Sequence, residues 1–228
     1  MESIEPNSLQ KSEEILKGEM LAIYNEVIKE PEVAEALELL DRLPENLRYH
    51  NKEHTLDVLR ETILFALADG ADPETIKQQA VSAAWHDVGY VKQYEKNEPI
   101  ALEMFKHSQA FKKLPPEQRD EISSNILDTQ LIMRHGEPFL LQQKSRFGYL
   151  LDGDVSNFGR TDYWDKRMQV AEELKLDLSK VEVKERFYGF AVALLRNHQW
   201  KTKSARVLRQ AQKEINLKRG LEEYHQLV

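Results

Sequence analysis

Apolar residues recur at three- and four-residue spacing along almost the whole chain, the pattern of helices that each bury one face. The segments LKGEMLAIYNEVIKE and EVAEALELLDRL carry it first, and HTLDVLRETILFALADG carries it to a stop at Gly70. Asp72-Pro73-Glu74 then offers an N-cap residue followed by proline at the first helical position. The next helix is therefore predicted to run through IKQQAVSAAWHD. EPIALEMFKHSQAF, PEQRDEISSNILDTQLI and FGYLLDGDVSNFG continue the series. YWDKRMQVAEELK, VKERFYGFAVALLRNH and the basic stretch TKSARVLRQAQKEINLKRGLEEYHQLV complete it. Strand-like alternation is nearly absent, and the 9 glycines and 8 prolines fall mostly between these segments. No repeat, low-complexity tract or linker interrupts the series, so one all-α domain over residues 1–228 is expected.

Composition narrows the chemistry. At 228 residues the chain is long enough to bury a sizeable core. It has no cysteine, which excludes disulfides, thiolate zinc sites and cysteine nucleophiles. The 39 acidic residues outnumber the 32 basic ones, giving a formal charge of -7 that argues against a nucleic-acid partner gripped through its phosphates. A small anionic substrate stays compatible, because a metal ion can supply local positive charge. The acidic start, MESIEPNSLQKSEEIL, does not read as a signal peptide, and no apolar run approaches the roughly 20 residues of a membrane helix. A soluble, cytoplasmic protein without a membrane partner is the expectation.

Three places carry metal-type ligands. Tyr49-His50-Asn51-Lys52-Glu53-His54 sets His50 and His54 four apart, a spacing that on a helix puts both on one face. His86-Asp87 closes an apolar segment. Asp152 and Asp154 sit in an otherwise apolar helix, where carboxylates are costly unless paired or bound to metal. Each has a plainer reading too: a solvated histidine pair, or a satisfied polar pair at a helix end.

Their order is more specific than any one of them. A histidine, a His-Asp doublet and a distant aspartate resemble the HD superfamily of metal-dependent phosphohydrolases over about Tyr49 to Gly159. The motifs are YHNKEHT, AAWHDVGY, KNEPIA, ILDTQLIMRH and LLDGDVSNFG, and together they are most similar to the small "predicted metal-dependent HD phosphohydrolase" branch. YHNxxH and DVSN are also similar to elements of the cyclic-nucleotide phosphodiesterases of the same superfamily. The resemblance implies a helical HD bundle with its core at about residues 45–160 and the N- and C-terminal helices packed on it. It implies that His54, His86, Asp87 and Asp154 hold a divalent ion of Mn, Fe, Zn, Mg, Co or Ni. Spacing alone leaves Asp152 and Asp154 open. The DVSN match favours Asp154 as ligand and makes Asp152 a residue that orients a ligand or water. His50 corresponds to a general acid, and with Asp87 forms the catalytic pair. The implied activity is hydrolysis of a small phosphate ester, such as a nucleotide, by metal-activated water.

Some positions depart from the two-metal members of that superfamily. Asn97-Glu98-Pro99 and Asp128-Thr129 stand where those members carry histidine, so one tightly bound ion is expected. His107 reads as a helix-surface residue and His135 as a loop residue. An HD-type di-iron oxygenase, the enzymatic alternative, would need both. A non-catalytic protein that binds metal or nucleotide is the third reading. Glu98 either holds a water beside the ion or is a first-turn carboxylate favoured by its helix dipole. Arg48 and Lys92, with Lys96 and Arg160, are candidates to touch phosphate, and each also reads as a solvated charge. Tyr90 and Tyr94 are candidates to stack on a base, while Trp85 reads as core.

Overall fold

In a computed structural model, residues 6–134, 137–140 and 144–228 are described. His135 therefore lies outside the described residues, as do the first five residues. Eleven α-helices account for most of them. In chain order these are α1 (Pro6–Val27), α2 (Pro31–Leu40), α3 (Lys52–Ala68), α4 (Pro73–Trp85), α5 (Asn97–His107), α6 (Gln109–Lys113) and α7 (Pro116–Asp128). After a short strand pair come α8 (Tyr149–Asp154), α9 (Tyr163–Glu173), α10 (Val181–Asn197) and α11 (Lys203–His225). The all-α expectation holds. No helix among the described residues is long and apolar enough to cross a membrane.

Helix α3 lies at the centre, with α1, α4, α8 and α11 against it. Its Leu59, Ile63, Phe65 and Ala66 are fully buried, as are Trp85, Phe105, Ile122, Ile126 and Leu150 on the helices around it. The Trp85 indole N–H is satisfied by the Glu32 carbonyl at 2.9 Å, so this tryptophan belongs to the core. Gly153 makes the α3–α8 contact possible: a Cβ there would lie 2.3 Å from Thr62 Oγ1 and 3.1 Å from the Thr62 nitrogen.

Local chemistry sets the helix ends. Asp72 caps α4 by accepting the Thr75 N–H at 2.9 Å, with proline next in line as the sequence predicts. Ser108 splits the predicted EPIALEMFKHSQAF helix, because its extended backbone ends α5 while its hydroxyl caps α6. Helix α7 stops at Asp128 instead of running on through Ile132. Leu131–Arg134 (β1) pairs antiparallel with Glu137–Leu140 (β2), matching Ile132 with Phe139, a pairing too short to register as alternation. The Asp128 carboxylate accepts the N–H groups of Lys144 and Ser145, both at 2.7 Å, and so anchors the chain that returns.

One expectation about the histidines is corrected here. His50 and His54 do not share a helix face, because Asn51 is the N-cap of α3 and accepts the His54 N–H at 3.0 Å. His50 stands before the helix, with its ring centroid 5.9 Å from that of His54.

Candidate metal centre

Three helix ends converge on one point. His54 lies in the first turn of α3, His86 and Asp87 follow the last residue of α4, and Asp154 ends α8. The end of α4 answers how sequence neighbours come to share a target. His86 keeps helical angles, but Asp87 turns out of them (φ -106°, ψ 3°), which brings its Oδ2 to 3.2 Å from His86 Nε2. Gly89 lets this turn pack closely, since a Cβ there would lie 2.1 Å from the Asn97 carbonyl oxygen.

His54 Nε2 is 3.2 Å from Asp154 Oδ1 and 3.5 Å from Asp87 Oδ2. His86 Nε2 is 3.5 Å from the same Asp154 oxygen. An ion with ligands at about 2.1 Å separates adjacent ligand atoms by about 3.0 Å in octahedral and about 3.4 Å in tetrahedral geometry. Two of the four nitrogen–oxygen separations, at 3.2 Å, fall in that range, and the other two, at 3.5 Å, lie just beyond it. His54, His86 and Asp87 form the compact trio, with ligand atoms all within 4.8 Å of one another, and this buried group can hold a metal ion. Asp154 touches both imidazoles without joining the trio.

The hydrogen bonding leaves two of the inward atoms unspent. His86 donates its Nδ1–H to the Ala83 carbonyl at 2.7 Å, which fixes the ring and turns Nε2 inward. Asn97 donates to Asp87 Oδ1 at 2.9 Å, leaving Oδ2 for the centre. His86 Nε2 and Asp87 Oδ2 are buried and have no hydrogen-bond partner among the described residues, although they lie 3.2 Å apart. Buried polar atoms in that condition are costly. A divalent cation would satisfy both at once, so the donor set fits such an ion.

Electrostatics points the same way. Burial disfavours the His86 imidazolium, but Asp87 and Asp154 outweigh it and raise its pKa well above the usual value. Burial likewise opposes ionisation of Asp154, yet its hydrogen bond to His54 and the nearby His86 imidazole hold its carboxyl far below the ordinary range. The carboxylates thus set negative charge beside the two imidazoles, a place a cation can occupy by displacing protons.

A cavity of about 320 Å³ opens over this cluster, with Asp87 and Asp154 in its lining. His50 stands on the wall, stacked on Tyr90 at 4.5 Å between ring centroids. Its Nδ1 contacts Glu173 Oε1 at 2.5 Å, and Tyr94 donates its hydroxyl to the same oxygen at 3.0 Å. Glu173 Oε2 accepts the backbone N–H groups of Tyr49 and His50 at 2.9 and 3.0 Å. Burial opposes both charges, but the pairing prevails: the Glu173 carboxyl is held at about 2 and the His50 pKa is raised. Glu173 is invisible to sequence reasoning, lying 123 residues from His50 with no motif around it.

The remaining candidates divide. Of the two aspartates, Asp154 reaches the imidazoles. Asp152 is corrected: it does not turn to the cluster but accepts from the Lys201 N–H, the Thr202 N–H and the Thr202 hydroxyl. Glu98 lines the cavity, and burial, then Asp87 and Asp154, raise its pKa. Arg48 and Lys92 are exposed and are not part of the cavity lining. Arg160 is committed elsewhere, bonded to Asp57 at 2.6 Å and Asp162 at 2.9 Å. The cations that do line the cavity are Lys166 and Arg167, which sequence reasoning missed. Arg167 lies over the Phe187 ring, and its Nε is buried without a hydrogen-bond partner. Tyr90 and Tyr94 line the cavity as expected of stacking residues. His107 is on the surface, its side chain 76% exposed and bonded to the Glu103 carbonyl.

Comparison with protein-family models, with curated proteins and with solved structures finds no match for this chain.

Proposed function

We propose that this protein is a metal-dependent hydrolase of small phosphate esters, a nucleotide being the substrate class, and that it is a member of the HD superfamily. The observation that supports this reading is a conjunction: a buried His54–His86–Asp87 group that could hold a cation, with Asp154 beside it, lies under the same cavity of about 320 Å³ that a carboxylate-paired histidine lines. That volume suits a small ligand rather than a macromolecule.

His54, His86, Asp87 and Asp154 would hold the ion. A bound divalent cation supplies Lewis-acid polarisation of a phosphoryl oxygen and lowers the pKa of water. His50 is the general acid. Held as imidazolium by Glu173, it donates its Nε2 proton to the departing oxygen. Glu98, made more basic by burial and by its carboxylate neighbours, accepts a proton from the attacking water. Arg167 and Lys166 bind the substrate's phosphate oxygens, and Tyr90 and Tyr94 offer flat faces to a base. The di-iron oxygenase alternative is disfavoured by His107, whose exposed position removes one of the histidines it needs.

The test is a panel of nucleoside mono-, di- and triphosphates and cyclic nucleotides, each with Mn²⁺, Mg²⁺, Co²⁺ and Ni²⁺, with His86→Ala as the blank. Metal-dependent release of phosphate or opening of a cyclic phosphate above that blank is expected. No turnover above the blank under any condition, or a His54→Ala protein that keeps both metal and activity, overturns the proposal.

A further inference from the structure

A second cavity, of about 450 Å³, lies between the end of α10 and α11. Its charge is opposite to that of the chain. Arg196, Arg206 and Lys213 line it against a single acid, Glu214, in a protein whose formal charge is -7. Both arginines are exposed, and neither has a hydrogen bond or ion pair to a carboxylate among the described residues.

The cavity also holds polar groups that the fold leaves unused. His198 is 7% exposed, and its ring is set edge-on against Phe158 at 5.2 Å and Trp200 at 4.3 Å between centroids. Both of its ring nitrogens lack a hydrogen-bond partner among the described residues. Trp200 is 4% exposed, and its indole N–H lacks one too. Lys213 is nearly as buried, donates to the His198 carbonyl at 2.6 Å and lies over the Trp200 ring. Native folds rarely bury donors without giving them an acceptor. A solvated surface groove does not explain them, because these groups are the buried part of the lining.

We infer that this cavity is a second ligand site, separate from the metal centre, which takes a small phosphate-bearing anion. Arg196 and Arg206 at the rim meet the charge, and the indole N–H of Trp200 and the His198 ring supply directed hydrogen bonds below. The protonation behaviour of the lining agrees. Burial, followed by Lys213 and Lys201, pushes the His198 pKa well below its usual value, and burial lowers Lys213 to about 8. Positive potential in a poorly hydrated space is the condition an anion relieves. Phe158 lies between the two sites, lining the metal-side cavity while its ring edge meets His198.

The inference does not depend on the hydrolase reading, and its test keeps the two apart. Inorganic phosphate and adenosine monophosphate are titrated separately into the full chain, with binding read by calorimetry and by tryptophan fluorescence. Three variants are compared: His86→Ala, which lacks a metal ligand; Arg196→Ala/Arg206→Ala, whose changes are on exposed side chains; and His198→Phe, which keeps the ring packing and removes both nitrogens. Binding in His86→Ala at the wild-type affinity is expected, with at least a ten-fold loss in the double arginine variant and a measurable loss in His198→Phe. Tighter binding of the nucleotide than of phosphate in His86→Ala, lost when Arg196→Ala/Arg206→Ala is added to it, identifies an ester as the occupant, and equal binding identifies the free anion; either supports the site. The inference is overturned if binding vanishes in His86→Ala, if it survives unchanged in the arginine variant, or if neither probe binds at millimolar concentration.

Discussion

Replacing Glu173 by glutamine separates the proposed general acid from the proposed metal. The carboxylate takes two backbone N–H groups on Oε2, and the His50 ring and the Tyr94 hydroxyl on Oε1. An amide keeps one acceptor, and the two fixed backbone donors claim it. Its NH₂ then faces His50 Nδ1, which must become an acceptor, so the ring is held neutral with its proton on Nε2. The loss follows from the bond that changes. A hydrogen bond to a charged group contributes about 1.5–3 kcal/mol and a neutral one about 0.5–1.5. The difference of about 1–2 kcal/mol corresponds to a roughly five- to thirty-fold lower kcat at neutral pH. That loss belongs only to substrates whose leaving oxygen needs a proton, such as alkyl phosphate esters. A p-nitrophenyl ester, with its weakly basic leaving group, should lose little. The pH profile must shift with a definite sign. In the proposed mechanism His50 acts protonated, and Glu173 raises its pKa, so the basic limb of the wild-type profile should lie higher and that of the variant should move down. Metal content, read by mass spectrometry, should not change. Equal losses on alkyl and aryl esters with the metal retained, or a basic limb that stays in place, would refute the role given to this pair.

Three further outcomes test the site and its supports. Asn97→Ala frees Asp87 Oδ1 and should weaken metal binding about 10- to 100-fold, with the helix content unaltered by circular dichroism. Chelation should lower thermal stability: an ion present at a hundred times its Kd contributes about 2.7 kcal/mol, or roughly 5–10 °C in Tm for a chain of this size, and an unchanged Tm after metal is restored argues against the cluster as its site. Gly153→Ala should cost about 1–3 kcal/mol through overpacking against Thr62, with partial recovery in Gly153→Ala/Thr62→Ala, which removes the oxygen lying 2.3 Å from the new methyl.

What the sequence made legible was local, and what it hid was long-range. Periodicity located the helices, and Asp72-Pro73-Glu74 located the start of α4, because caps and buried faces are written within a few neighbouring residues. The ligand types could be picked out because histidine and aspartate are unusual in apolar segments. His50 was put on the wrong side of a helix start because His-x-x-x-His spacing looks helical whether or not the cap falls between the two. Asn97 was read as a missing histidine, when its amide serves the centre by gripping Asp87. Glu173, Lys166 and Arg167 come from α9, beyond the recognised motifs, and only the packing of that helix against the turn Ser156–Gly159 brings them over the cavity.

The two aspartates of α8 show how one short helix serves two ends. Residues two apart on a helix are separated by about 200° around its axis, so Asp152 and Asp154 must point to opposite sides. Asp154 turns to the imidazoles of α3 and α4. Asp152 turns to the chain that opens α11, where three groups of Lys201 and Thr202 donate to it, and where burial still lifts its carboxyl to about 6. Gly153 between them carries no side chain because the backbone of α3 lies against that face. Each residue of the Asp152-Gly153-Asp154 triplet thus answers a different neighbour: the C-terminal helix, the central helix and the metal centre. The position of Asp154 is therefore set by its neighbours in the triplet, and the ligand proposed here would lose little freedom on binding. The same arithmetic explains why the sequence tolerates two carboxylates in so apolar a stretch: neither is spare, and neither can do the other's work.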